Sequence, residues 1–326
     1  MNTATVRVSL AASVVLLAGA AATFAAGKYK APRTAWGDPE IGGLYTNNTD
    51  APFERDRNLG DKAFFTEEEY AARKSAPQPE IETRPGTTAD VHYDVGDFGL
   101  QPEQSDMVKN LRTSIIMTPA NGRLPPLNKD AERRSNAAGA ARREHQYDSV
   151  QNMDLRDRCV IWSHEGPPLR PVAYNTQVRI MQTPGFVVLM TEMIHDARVI
   201  PIADKRPDFG GVTSWQGNSW GRWQGDTFVI ETTGFSDQVM PRGSNVPWGP
   251  DAKVVEKLTR TGADTVMYEF MVTDPSLWDE SWGGEYPMEL TEGPMFEYAC
   301  HEGNYGVANT LRGAREDEKA AARGAR

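Results

Sequence analysis

Between Asn175 and Pro275, short β-rich runs alternate with turn residues, and in the Lys253–Pro275 stretch apolar positions recur at every second residue. Successive side chains of a strand point to opposite faces, so this period marks strands with one buried face. The pattern predicts strands over Asn175–Gln182, Phe186–Met193 and Ala197–Ile202, with Pro184-Gly185 turning the first into the second. Ser219–Phe235 reads as a hairpin around Gln224-Gly225-Asp226. Lys253–Pro275 reads as another around Gly262-Ala263-Asp264, with Val266, Tyr268, Phe270 and Val272 on one face. Pro294–Cys300 is read as the last strand. About eight sequential strands with short connections favour a mainly β fold, an antiparallel up-and-down barrel, because closure removes exposed edges. An open β-sandwich is the alternative. A barrel of this size encloses either one small ligand or packed side chains.

The preceding region lacks that rhythm. Residues 27–150 are rich in Pro, Gly and charge, and are predicted to form an irregular, partly helical cap or wrap over the barrel of residues 151–311. Gly42–Asn47 fits one short strand. Thr66 with Glu69 three residues later is a capping box that starts a helix. Pro77–Gly86 reads as loop. Arg112–Leu127 reads as a short strand followed by a turn at Ala120-Asn121-Gly122, and Lys129–Gln146 as a helix. The tail, residues 312–326, is a charged helix that frays. Gly210-Gly211 and Gly283-Gly284 read as loop glycines.

The first 26 residues have the order of a secretory signal: Arg7, an apolar run from Val8 to Ala22, then small residues near Ala25 and Ala26. The run falls short of the ~20 apolar residues a spanning helix needs. A periplasmic or secreted location without stable membrane insertion is expected. In that compartment Cys159 and Cys300, the two cysteines, suggest one disulfide closing a long loop; two separate buried thiols are the alternative. Acids outnumber bases by 45 to 35, and no basic cluster is interleaved with aromatics, so nucleic acid is not an expected partner.

Five histidines occur, and three precede an acid: His164-Glu165, His195-Asp196 and His301-Glu302. If His195 and Asp196 share a strand, they point apart; if they form a tight connection, both line the barrel mouth. Arg198 two residues on could keep Asp196 ionised. In the enzymatic reading, His195 and His301 move a proton, Asp196 and Glu302 orient it, and Arg198 holds a carboxylate or an oxyanion. The alternative makes His195 a turn residue and Asp196 a backbone cap. His164, Tyr174, Trp215, Trp220, Trp223 and Tyr298 are the expected substrate-binding residues; the tryptophans equally suit an aromatic core. A Cys159–Cys300 bond would bring His164 close to His301. Glu256 and Glu269 lie on hairpin strands, where facing solvent is the expectation and an inward general base the alternative. Asp154 to Arg158 is a charge run, read as solvated surface or a local salt-bridge cluster. No cofactor and no metal is expected, because local ligand spacings such as H-E-x-x-H are missing.

Several stretches, including "GDPEIGGLYTN", "RTSIIMTPANGRLPPL", "YNTQVRIMQTPGFVVLMTEMIHDARVIPI", "GRWQGDTFVIETTGF" and "YACHEGNY", resemble a widespread family of exported bacterial proteins of unassigned function. Gly43-Leu44-Tyr45 is similar to the G-x-W opening strand of lipocalin-like (calycin-type) barrels. The chain departs from the family pattern at Glu40-Ile41 and Tyr45, where that pattern has Asp-Leu and Trp. The resemblance implies a lipocalin-like barrel and an exported location, and brings no activity. Three functions compete: cofactor-independent acid/base chemistry of lyase, hydratase, isomerase or hydrolase type on a small hydrophobic or aromatic molecule; a non-catalytic carrier of such a ligand; and an envelope interaction module.

Overall fold

A computed structural model describes residues 29–76, 107–162, 165–172 and 175–324. The amino-terminal segment, the Pro77–Gly86 stretch, His164 and Tyr174 lie outside the described residues.

The strands are β1 (Gly43–Thr46), β2 (Ile116–Thr118), β3 (Gln177–Thr183), β4 (Phe186–Thr191), β5 (Ala197–Pro201), β6 (Asn218–Gln224), β7 (Thr227–Thr233), β8 (Lys253–Arg260), β9 (Thr265–Thr273) and β10 (Trp282–Leu290). They form one sheet in the order β5-β4-β3-β1-β10-β9-β8-β7-β6, with β2 paired to β10 off that path. Every neighbour along the path is antiparallel. The two end strands approach each other through one parallel bridge, Ile202 to Gly221, where the Ala203 N–H donates to the Gly221 carbonyl at 2.8 Å. A path of nine strands cannot alternate direction and also close, so one seam must be parallel. The β5–β6 seam carries that mismatch, and it pairs least.

Cross-strand neighbours show which face is interior. Gly221, Ile230, Glu256, Phe270 and Gly284 run across one row from β6 to β10. Val266, Tyr268, Phe270 and Val272 all face inward and are buried, as the alternation predicts. The interior is filled by side chains, with Tyr45, Phe228, Tyr268, Tyr286 and Trp282 among the largest fully buried ones. Of the two options for the barrel lumen, the protein adopts the packed one.

A loop completes the filling. The Leu169 N–H donates to Tyr268 Oη at 2.7 Å, and Tyr286 Oη donates to the Leu169 carbonyl at 3.2 Å. Leu169 itself is fully buried in the core cluster. The segment from Glu165 to Arg170 is therefore a plug, its backbone groups satisfied by two tyrosines from opposing positions on β9 and β10.

The last strand is a correction. Pro294–Cys300 is not a strand, and the strand that completes the barrel is β10. Gly283 and Gly284 belong to it rather than to a loop. A Cβ at Gly283 would collide with the Phe270 carbonyl oxygen of β9, and one at Gly284 with the Ile115 carbonyl oxygen next to β2, which pairs with this strand. Pro287 is tolerated because it falls between the β2 and β1 pairings, where that edge of β10 has no strand partner.

Among the described residues, three α-helices flank the sheet: α1 (Glu67–Ser75), α2 (Lys129–His145) and α3 (Tyr305–Gly324). The Thr66–Glu69 capping box is formed in both directions at the start of α1. Asn128 caps α2 by accepting from the Ala131 N–H at 2.8 Å. The helix expected from Arg312 begins earlier, at Tyr305. Cys159 and Cys300 are bonded, with an S–S distance of 2.10 Å, and the bridge ties the approach to the plug to the segment before α3.

Candidate functional site

The sequence-predicted residues scatter. His195 sits in the tight connection between β4 and β5, where Ile194 (φ 58°) and His195 (φ 51°) are both left-handed. Such backbone is costly for non-glycine residues, about 1–3 kcal/mol each, and marks a position held by its surroundings. His195 is exposed, and its Nδ1–H donates to the Tyr298 carbonyl at 3.2 Å. His301 and Glu302 are also exposed. Trp223 packs on Phe228 at 5.0 Å inside the sheet. Trp220, three residues earlier on β6, faces the outside beneath Arg206 at 5.9 Å. Trp215 is 37% exposed in the loop before β6. The three tryptophans do not share a pocket wall.

Arg198 corrects two expectations. It does not pair with Asp196. Its guanidinium crosses the barrel interior to Glu256, with Nη1 and Nη2 donating to Oε2 and Oε1 at 2.7 and 2.8 Å. Tyr268 Oη donates to the same carboxylate at 2.7 Å. Glu256 is fully buried, not solvated as expected for it, while Glu269 on β9 stays partly exposed. Burial pulls the Arg198 pKa down, but the Glu256 charge and hydrogen bonds outweigh it, and the net shift is upward. Arg198 stays charged, and its guanidinium is taken up by Glu256 inside the lumen.

Asp196 meets Glu165 from the plug instead. Burial raises the Glu165 pKa to about 9, and the facing Asp196 carboxyl adds to the rise. Asp196 is raised too, first by burial. Neighbouring carboxyls oppose each other's ionisation, and Glu165, the more deeply buried of the two, is the one that keeps its proton. The Glu165 carboxyl also accepts from the Trp162 N–H at 3.2 Å, which pins the loop entering the plug. Asp196, Arg198 and Trp215 all border a small groove of about 290 Å³ along the β5–β6 seam.

A larger site lies at the barrel mouth. A cleft of about 700 Å³ has the plug residues Pro167, Pro168 and Arg170 as its floor. Its walls come from α2, the Asp154–Trp162 segment, the Asp237–Trp248 loop and Trp282 of β10. A second cleft, of about 640 Å³, shares Arg156, Trp162, Arg170 and Arg242 with it, so these four stand at the junction of one groove. Two guanidiniums lie within cation–π range of the Phe53 ring, Arg242 at 4.5 Å and Arg170 at 5.7 Å from its centroid. The ring also meets Trp282 edge-on at 6.2 Å. Arg170 is 8% exposed. Burial first, then the positive charges of Arg242 and Arg156, lower its pKa to about 10. The Asp154–Arg158 run is a local salt-bridge cluster: Asp154 accepts from Arg142 and from Arg156, which hold its pKa near about 2 against the opposing effect of burial.

Neither Arg170 nor Arg242 stands out in the sequence. Their meeting depends on the plug and on a loop 72 positions further along the chain. Among the described residues, no three His, Cys, Asp or Glu side chains gather as a metal ion would need, and no helix is long and apolar enough to cross a membrane. Comparison of the chain with protein-family models, curated proteins and solved structures finds no match.

Proposed function

We propose that the protein is an exported β-barrel that binds a small hydrophobic or aromatic molecule at the barrel mouth. The observation that carries this reading is the mouth cleft, roomy and lined by Trp162, Trp248, Trp282, Ile161 and Met240, above a lumen already filled by the protein's own side chains. Volumes of roughly 300–1,000 Å³ with apolar walls and a few fixed polar groups are typical of small-molecule sites. Export agrees with the Cys159–Cys300 disulfide and with the apolar leader, and membership of the exported family that the motifs resemble belongs to the same proposal. The test is a titration with phenylnaphthylamine, a neutral aromatic dye that brightens in apolar sites. Saturable one-to-one binding, abolished by Ala141→Trp on the exposed cleft face of α2, is the expected result. Binding that ignores this substitution would contradict the reading.

A second reading is favoured by the Glu165–Asp196 pair. A carboxyl held protonated near neutral pH can donate that proton, and Asp196 borders the seam groove. This keeps acid/base catalysis open with Glu165 in place of the exposed histidines. It requires a metabolite consumed by the parent protein and spared by a folded Asp196→Asn variant.

A further inference from the structure

The outer wall of the barrel is divided. Outward positions on β6 to β9 carry charge: Arg222, Glu231 and Lys253 form a linked set, and Lys257 lies opposite Glu269 across β8 and β9. The outward positions of β4 and β5 are all apolar. Met181, Val188 and Val199 form one row across β3, β4 and β5, and Phe186 lies opposite Pro201 in the next. Val199 is 60% exposed and Phe186 44%. Trp215, also partly exposed, stands across the seam groove from Val199 and extends the face. Arg179, at the margin on β3, is the one outward charge on these three strands. Strand β5 ends the path of the sheet, and end strands ordinarily carry charge that discourages association. Here that protection is missing.

We propose that this face joins two copies of the chain, packed wall to wall about a two-fold axis in a weak, reversible dimer. A two-fold axis sets the same patch on both sides, so a face that is apolar throughout complements itself. Area selects the kind of contact. Six partly exposed apolar side chains offer roughly 400–500 Å² per copy, the size of the largest apolar patch on an ordinary monomer. Two such faces bury roughly 1,000 Å², which sits at the lower bound for a specific interface and well below that of an obligate dimer. Apolar burial supplies the attraction. The net charge of -10 on each copy opposes it, which keeps the association reversible. None of these residues lines the mouth cleft, so the dimer leaves that site open, and the two proposals stand independently.

Sedimentation equilibrium of the protein over a range of concentrations tests this. A monomer–dimer equilibrium in the micromolar range is expected, and it should tighten as salt rises, because salt screens the repulsion between copies and leaves apolar contact intact. Val199→Asp sets a charge at the centre of the face and should weaken the dimer at least roughly tenfold. Val199 is exposed, so the variant should fold, and an unchanged thermal melt would verify it. Phe186→Ser is a second variant with the same expected direction. Lys257→Ala, on the charged wall, should leave the dimer as it is. A protein that stays monomeric at every concentration overturns the proposal. So does a dimer that salt weakens, or one that survives both Val199→Asp and Phe186→Ser. A monomer that sediments with phosphatidylcholine vesicles, and loses this in Val199→Asp, would give the face to a lipid surface and overturn the second copy.

Discussion

Arg198 and Arg170 are almost equally buried, at 6% and 8% exposure, yet their charges meet opposite surroundings. Arg198 spans the lumen to a carboxylate in bidentate contact, and a tyrosine completes that carboxylate's hydrogen bonds. Arg170 sits at the mouth, where Arg242 and Arg156 press on its charge. The first lies inside the packed lumen, and the second borders a cleft with room for a guest. A buried arginine in the lumen serves the architecture. A buried arginine that lines a cleft is placed to touch what enters it.

The largest effect should come from opening the closed site. Glu256→Ala leaves Arg198 charged in the lumen with no carboxylate, and should cost about 3–5 kcal/mol in urea unfolding. Replacing both partners by apolar residues of similar volume should recover most of that loss.

Next comes the pH dependence of the plug. Glu165 is fully buried, and its pKa is raised to about 9, so the folded protein holds a proton that the unfolded chain releases. Stability should therefore fall as pH rises from the ordinary carboxylate range toward about 9, by at most about 1.4 kcal/mol per pH unit from this group. Glu165→Gln should flatten that slope, so the variant overtakes the parent in chemical denaturation at mildly alkaline pH. A slope that survives the substitution would assign it elsewhere.

The smallest effect belongs to His195→Ala, which should stay within about 0.5 kcal/mol because the ring is exposed and makes one hydrogen bond.

The alternation and turn residues from Asn175 to Pro275 were enough to read the hairpins and the barrel class, because each strand there has one buried face and a short turn. The capping box read equally well, since its signal is local. Strand β10 was hidden by the very residues that let it pack: Gly283 admits the backbone of β9, Gly284 admits that of β2, and Pro287 occupies an unpaired edge, yet all three look like loop punctuation. Pro294–Cys300 imitates a strand in composition without a neighbour to pair with. The site was less legible. His195 and Arg198 drew attention through their neighbours in sequence, whereas Arg198 is answered by Glu256, 58 residues away, and Asp196 by Glu165 in the plug. The trio of Arg170, Arg242 and Phe53 exists only once the plug enters the barrel, and no local spacing announces it.

The most direct measurement is a crystal structure of the protein with phenylnaphthylamine bound. The account requires the dye in the mouth cleft, with its rings against Trp248 or Trp282. A dye seated in the β5–β6 groove beside Trp215 would contradict it.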